Sequence, residues 1–149
     1  MINPFDDNYF MKQAYQEAQK AYALGEVPVG AIVVANNQII ARSHNQTEQL
    51  NDVTAHAEML SITAASNFLG AKYLHGCTLY ITLEPCCMCA GALYWSQIDK
   101  IVYAARDVKR GACSHSPSLF HPKTLITNGV MEKECSDLLI NFFRQRRSE

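Results

Sequence analysis

Two short runs, His56-Ala57-Glu58 and Pro85-Cys86-Cys87-Met88-Cys89, read H-x-E and P-C-x-x-C, and together offer one imidazole, two thiolates and a carboxylate. A structural zinc ion closes its shell with four Cys or His ligands, whereas a catalytic one keeps three and leaves the fourth position to water. His56, Cys86 and Cys89 make three. Two thiolates cancel the charge of the dication, neutral imidazole adds none, and coordination brings the pKa of bound water from about 15.7 to roughly 7. Glu58 is then a carboxylate that the metal does not need, placed to collect a proton and return it elsewhere.

Other readings of the same residues are weaker. A thioredoxin-like redox pair requires neither His56 nor Glu58. A closed structural zinc needs a fourth ligand, for which Cys87, His44, His75, His115 and His121 are nominally available, and it leaves Glu58 without a task. Cys87 reads as a small buried side chain between the ligands, and Met88 as core. Trp95, Tyr73, Phe142 and Phe143 read as packing residues.

The elements that must position these residues follow from periodicity. Asn8 can cap a helix carrying Met11, Ala14, Tyr15, Ala18 and Tyr22 on one face, with Gly25 as its stop. Val29 to Ala35, the turn pair Asn36-Asn37 and Gln38 to Ser43 predict a β-hairpin. A polar loop from His44 to Val53 leads into a helix capped by Thr54 and running to about Ser66, so His56 and Glu58 sit at a helix start. Thr78 to Leu83 predicts a buried strand, and Cys87 to Ser96 a helix with Ala90, Leu93 and Tyr94 inward. Residues two apart on a regular helix point to nearly opposite sides, so His56 is expected at an irregular entry if it shares a site with Glu58. Lys100 to Ala104 and Leu125 to Thr127 predict two further strands, and Glu134 to Arg146 a last helix held by Leu138, Leu139 and Phe142. Alternating strands and helices predict a three-layer α/β/α sandwich, with the later strands parallel and the opening hairpin antiparallel.

With 149 residues, 48% of them hydrophobic, the chain has the size of one domain spanning residues 1–149. The N-terminal stretch Met1 to Asp7 has neither a basic region nor an apolar core, so neither signal peptide nor membrane span is expected. Three of the six cysteines cluster at the proposed site, which fits metal binding in a reducing cytoplasm better than disulfides. A net charge of -1 does not announce a nucleic-acid binder, although Arg106, Lys109 and Arg110, and Arg144, Arg146 and Arg147, form two local basic clusters.

The H-x-E and P-C-x-x-C runs resemble those of the zinc-dependent cytidine and adenosine deaminase superfamily. Within it the chain is similar to the bacterial tRNA adenosine deaminases, through Gly25 to Gly30, Thr54 to Glu58, Leu83 to Ala92, Ala105-Arg106-Asp107 and Phe142-Phe143-Arg144 with Arg146-Arg147. The resemblance implies a five-stranded mixed sheet of the cytidine deaminase type, one zinc ion per subunit, a homodimer, and conversion of adenosine to inosine at the wobble position of a tRNA anticodon loop. It also implies that Asn45 hydrogen-bonds the purine, that Val29 and Leu83 line the base pocket, that the Ala57 amide contacts the ring, and that Asp107 and Phe143 lie near the flanking nucleotides. Where relatives carry a Gly-Ala-x-Gly-Ser turn and a longer loop, this chain has Gly111-Ala112-Cys113-Ser114-His115-Ser116 and a shorter segment up to Thr127. The same chemistry on a free base or nucleoside such as guanine, cytosine or cytidine is the nearest rival, and a zinc-stabilised RNA-binding module without catalysis is a more distant one.

Overall fold

The structure, a computed structural model, describes residues 4–115 and 119–148, without the side chains of Ser114 and His115. The start of the N-terminal stretch read above, Ser116 of the altered turn, and the His115 imidazole therefore lie outside the described residues.

Helix α1 spans Asp7–Ala23. Its cap is Asp6 rather than Asn8: Asp6 is extended, and its carboxylate accepts the Tyr9 amide at 2.9 Å, while Asn8 already lies inside the first turn. The helix ends at Leu24, followed by Gly25 at φ +76°. The hairpin forms as expected from strands β1, Gly30–Ala35, and β2, Gln38–His44. Asn36 and Asn37 take φ 51° and 60°, the left-handed pair that a tight hairpin turn of matching twist requires.

Helix α2, Ala57–Leu69, starts later than the Thr54 cap predicted. The Thr54 hydroxyl and amide both donate to the Asp52 carboxylate, at 2.7 and 2.8 Å, which holds Thr54 in the preceding turn. Strand β3, Cys77–Leu83, helix α3, Cys87–Ser96, and strand β4, Lys100–Ala105, agree with expectation to within one residue at each end. A short helix α4, Ala112–His115, precedes strand β5, Leu125–Asn128, and helix α5, Glu132–Ser148, extends two residues beyond the predicted span at both ends.

The five strands form one mixed sheet of order β2-β1-β3-β4-β5. β1 is antiparallel to both β2 and β3, whereas β3, β4 and β5 run parallel. Alternate residues divide between the two faces. Ala31, Val33, Leu79, Ile81, Ile101 and Tyr103 pack with Ala57 and Ala65 of α2 and with Ala90 and Leu93 of α3. Ile32, Val34, Tyr80, Val102 and Ala104 pack with Phe10, Met11 and Ala14 of α1 and with Cys135 of α5. Helices thus cover both faces, and none is long and apolar enough to cross a membrane.

The α3 surface corrects four of the packing expectations. Its buried face is Cys89, Ala90, Leu93 and Ser96, while Met88 and Trp95, seven residues apart, share the opposite stripe and are exposed, Trp95 by 75%. Cys87 on the same side is exposed as well. Tyr94 is half-buried rather than inward. Of the remaining aromatics Phe142 is buried, but Tyr73, in the irregular connection between α2 and β3, and Phe143, off the buried stripe of α5, are exposed.

Candidate active site

The antiparallel pairing of β1 with β2 and β3 brings the start of β1, the end of β2 and the end of β3 to one edge of the sheet. The Gly30 amide donates to Thr82 Oγ1 at 3.1 Å, and the Asn45 amide donates to the Val29 carbonyl at 3.0 Å. Helix α3 begins immediately beyond that end of β3, and α2 enters beside it. Both helices present their N-termini, with free amides and partial positive charge, to the same small volume.

His56 is the N-cap residue of α2, with extended backbone at φ −72° and ψ 154°, and Cys86 is the N-cap residue of α3 with φ −73° and ψ 174°. This answers the spacing problem of the H-x-E run. His56 stands outside the helical repeat, so its ring and the carboxylate of Glu58, in the first turn, approach the same point. His56 Nδ1 lies 3.7 Å from Cys86 Sγ and 3.5 Å from Cys89 Sγ, and the three donor atoms are within 4.8 Å of one another.

These separations fit zinc. Bonds of roughly 2.1 Å to nitrogen and 2.3 Å to sulfur at a tetrahedral angle set the two atoms about 3.6 Å apart. Among the described residues no fourth Cys or His joins the cluster. His75 bonds Gln97 at 3.0 Å, His121 accepts the Lys123 amide at 3.1 Å, His44 faces Glu17 at 3.6 Å, and Cys87 is turned to solvent. The donor set is three, with one place left open.

The protonation pattern suits a dication. The Cys89 thiol donates to Cys86, which is pulled down to about 3, while Cys89 itself is raised, first by that bond and then by burial. Its bond to Cys86 raises the His56 imidazole despite burial. Cys86 is therefore already a thiolate, while the Cys89 sulfur and the His56 ring hold protons that a metal ion displaces on binding. Glu58 is 4% exposed, and burial pushes its carboxyl up to about 7 against its own backbone amide and His56. A carboxyl poised near neutrality can both accept and give a proton.

The other predicted residues are placed unequally. Asn45 is buried, and its Oδ1 has no hydrogen-bond partner among the described residues. Val29, Leu83 and Ala57 belong to the apolar cluster on the α2/α3 face, at the same end of the sheet as the metal ligands. Asp107 sits on the turn after β4, with its carboxylate accepting the Lys109 and Arg110 amides at 3.2 and 3.0 Å, so it shapes that turn. Phe143 lies exposed on α5, edge-on to Phe142 at 5.4 Å, on a helix that covers the other face of the sheet. Three buried carboxylates escaped the sequence reading: Glu17, which pairs with Lys20 on α1, and two that accept loop amides. Glu26 is fully buried and accepts the Glu48 and Gln49 amides, and Glu84 is 2% exposed and accepts the Asp107 and Cys113 amides. The sequence signal of Glu26 and Glu84 was an acidic residue inside an otherwise apolar or proline-flanked run.

A mixed sheet with two helix starts converging on one imidazole, two thiolates and a buried carboxylate defines a zinc-dependent deaminase. Residues 4–105 match the cytidine and deoxycytidylate deaminase zinc-binding region, and the chain belongs to that family. The tRNA-specific adenosine deaminase of Aquifex aeolicus is 46% identical over 94% of this chain and 95% of its own length. The Bacillus subtilis protein of the same name is 45% identical over 96% and 92%. A solved structure from work on A-to-I editing by tRNA:A34 deaminases superimposes with a TM-score of 0.83 at 42% identity, covering 88% of this chain and 99% of that one.

Proposed function

We infer that this chain is a zinc-dependent hydrolase of an amidine C–N bond that converts adenosine to inosine at the wobble position of a tRNA anticodon. The observation that carries the chemistry is the three-donor cluster of His56, Cys86 and Cys89 with buried Glu58 against it. The near full-length likeness to tRNA-specific adenosine deaminases supports the substrate.

His56, Cys86 and Cys89 would hold the zinc ion, which when bound supplies a Lewis acid that makes water nucleophilic near neutral pH. Glu58 takes the proton of the attacking water, passes it to the ring nitrogen beside the reacting carbon, and delivers the second proton to the exocyclic amine, which leaves as ammonia. Water is consumed, ammonia is released, and the purine keeps the oxygen. Asn45, with an unpartnered buried Oδ1, fixes the purine edge, the Ala57 amide at the α2 start meets the ring, and Val29 and Leu83 form the walls. Asp107 shapes the loop that meets the flanking nucleotides, whose phosphates suit Arg106, Lys109 and Arg110, and Phe143 offers a stacking face beyond. The exposed Met88 and Trp95 stripe of α3 suits burial against a second copy of the chain, giving a homodimer of single-domain subunits, spanning residues 1–149, that works in the cytoplasm with tRNA.

The test is to incubate zinc-loaded protein with an arginine tRNA transcript bearing adenosine at the wobble position, and in parallel with free bases and nucleosides. Inosine in the tRNA without small-molecule turnover is expected, whereas ammonia released only from guanine or cytidine would sink the tRNA reading. Glu58→Ala is expected to keep zinc and abolish turnover. Near-normal activity in that variant would remove Glu58 from the proton path.

A further inference from the structure

The proton path and base pocket leave Glu84 without a task, although it is a 2% exposed carboxylate two residues before a metal ligand. Its own amide donates to the Ala105 carbonyl at 2.8 Å, fixing it beside the end of β4. Oε1 accepts the Asp107 amide at 3.1 Å, and Oε2 accepts the Cys113 amide at 2.8 Å. Both oxygens are therefore engaged by one loop, at its entrance and at its exit.

The same loop is fastened to the metal-ligand turn itself. The Ala112 amide donates to the Pro85 carbonyl at 2.9 Å, Cys86 and Gly111 form an isolated antiparallel bridge, and the Gly111 amide donates to the Asp107 carbonyl at 2.8 Å. A Cβ on Gly111 would stand 2.1 Å from Glu84 Oε2 and 2.3 Å from its Cδ, so the loop crosses the carboxylate at the distance only glycine permits. Between those anchor points Arg106, Lys109 and Arg110 are exposed, and Asp107 turns its carboxylate inward onto the Lys109 and Arg110 amides. The exposed cations are carried on backbone clamped to the residue that would hold the metal.

We propose that Glu84 is a positioning residue for the RNA substrate. It sets loop 106–113, and with it the three cations, in register with the Cys86 turn, so that the grip on phosphates flanking the reacting base is aligned with the reaction centre. The proposal rests on the reading that the substrate is a tRNA anticodon loop. Two charge-assisted bonds to backbone amides hold the loop whatever its side chains are, and nothing in them touches the reacting atoms. Loss of Glu84 is thus expected in substrate binding rather than in the chemical step.

Glu84→Gln keeps the shape, retains one acceptor oxygen and presents an amide group to the second N–H. With an anticodon stem-loop RNA as substrate, its KM is expected to rise about tenfold or more, the equivalent of roughly 1.4 kcal/mol, while kcat stays within about threefold and zinc remains at one per chain. The exposed pair Lys109→Ala/Arg110→Ala, whose folding is not at stake, is expected to raise KM as well and to flatten its salt dependence. Combining the two changes is expected to raise KM by clearly less than the product of the separate effects, because Glu84 acts through those cations. An unchanged KM in Glu84→Gln, a fall in kcat alone, loss of zinc, or effects that multiply would each overturn the proposal. If Glu84→Gln does not fold, Gly111→Ala attacks the same contact from the loop side and is read by the same KM, kcat and combination criteria. A wild-type protein that converts no RNA overturns the substrate reading. A wild type that converts RNA beside a Glu84 variant with normal KM overturns this inference alone.

Discussion

Gly30 tests how α1 is seated on the sheet. A Cβ at this position would lie 2.1 Å from the Ala14 carbonyl oxygen, 2.4 Å from the Ala18 amide nitrogen and 2.8 Å from Glu17 Cβ. Two of these are helix backbone, which cannot swing aside as a side chain can. A carbon–oxygen contact needs roughly 3.3 Å, so Gly30→Ala would force α1 away from β1 by about 1.2 Å. That gap runs along the seam filled by Met11, Ala14 and Ala18, each fully buried, and a separation of this size forfeits about half of the dispersion between facing atoms. Overpacking costs about 1–3 kcal/mol, and a backbone clash belongs at the upper end. The smaller unfolded-state entropy of alanine returns about 0.4–1 kcal/mol, leaving a net loss of about 2–3 kcal/mol. At roughly 2–4 °C per kcal/mol for a chain of this size, Tm is expected to fall by about 4–12 °C. Thermal melting of the zinc-loaded protein measures this, with urea unfolding at unchanged m as a check. An unaltered or raised Tm would mean that α1 does not approach β1 as closely as these distances state.

Other expectations follow from single contacts. Cys89→Ser replaces a fully buried thiol with a harder oxygen, so zinc per chain measured after gel filtration should drop well below one and turnover should vanish. Chelation should abolish deamination and lower Tm, and added zinc should restore both. Asn45→Ala removes a side chain whose Oδ1 has no partner among the described residues, so kcat/KM is expected to fall about 5–150-fold, the worth of roughly 1–3 kcal/mol, with little change in Tm. Tyr80→Phe loses the 2.7 Å bond to Asp7, which should cost about 1 kcal/mol of stability and leave kcat unchanged.

The layers and the metal ligands were readable because their signals are local. Asn36-Asn37 forced a tight turn, alternating apolar runs forced strands, and the spacing from Pro85 to Cys89 put two sulfurs on one helix start. The helix starts themselves were misplaced where two polar residues competed. Asp6 outbid Asn8 by lying one step outside the first turn, and Thr54 was captured by Asp52. The exposed faces of Met88 and Trp95 were not readable, because hydrophobic character gives no direction on the short α3, whose solvent side is itself apolar, whereas Phe143 was misread beside Phe142 although the α5 period Cys135, Leu139, Phe142 leaves it off the buried stripe. Glu26 and Glu84 stayed hidden for a different reason: their partners are backbone amides 22 to 29 residues away, and an amide leaves no mark in sequence.

That last point bears on how such a site tolerates change around it. A carboxylate that reads two amides constrains the path of a loop and leaves its side chains free, apart from the place where the chain passes over the carboxylate. In the loop after β4 that place is Gly111, where a Cβ would stand 2.1 Å from Glu84 Oε2. Among the described residues the same carboxylate also takes the Cys113 amide, two residues further on. On the proposal above, one buried carboxylate thus aligns the path of this loop with the Pro85-Cys86 turn while asking nothing of Arg106, Lys109 and Arg110 beyond their charge.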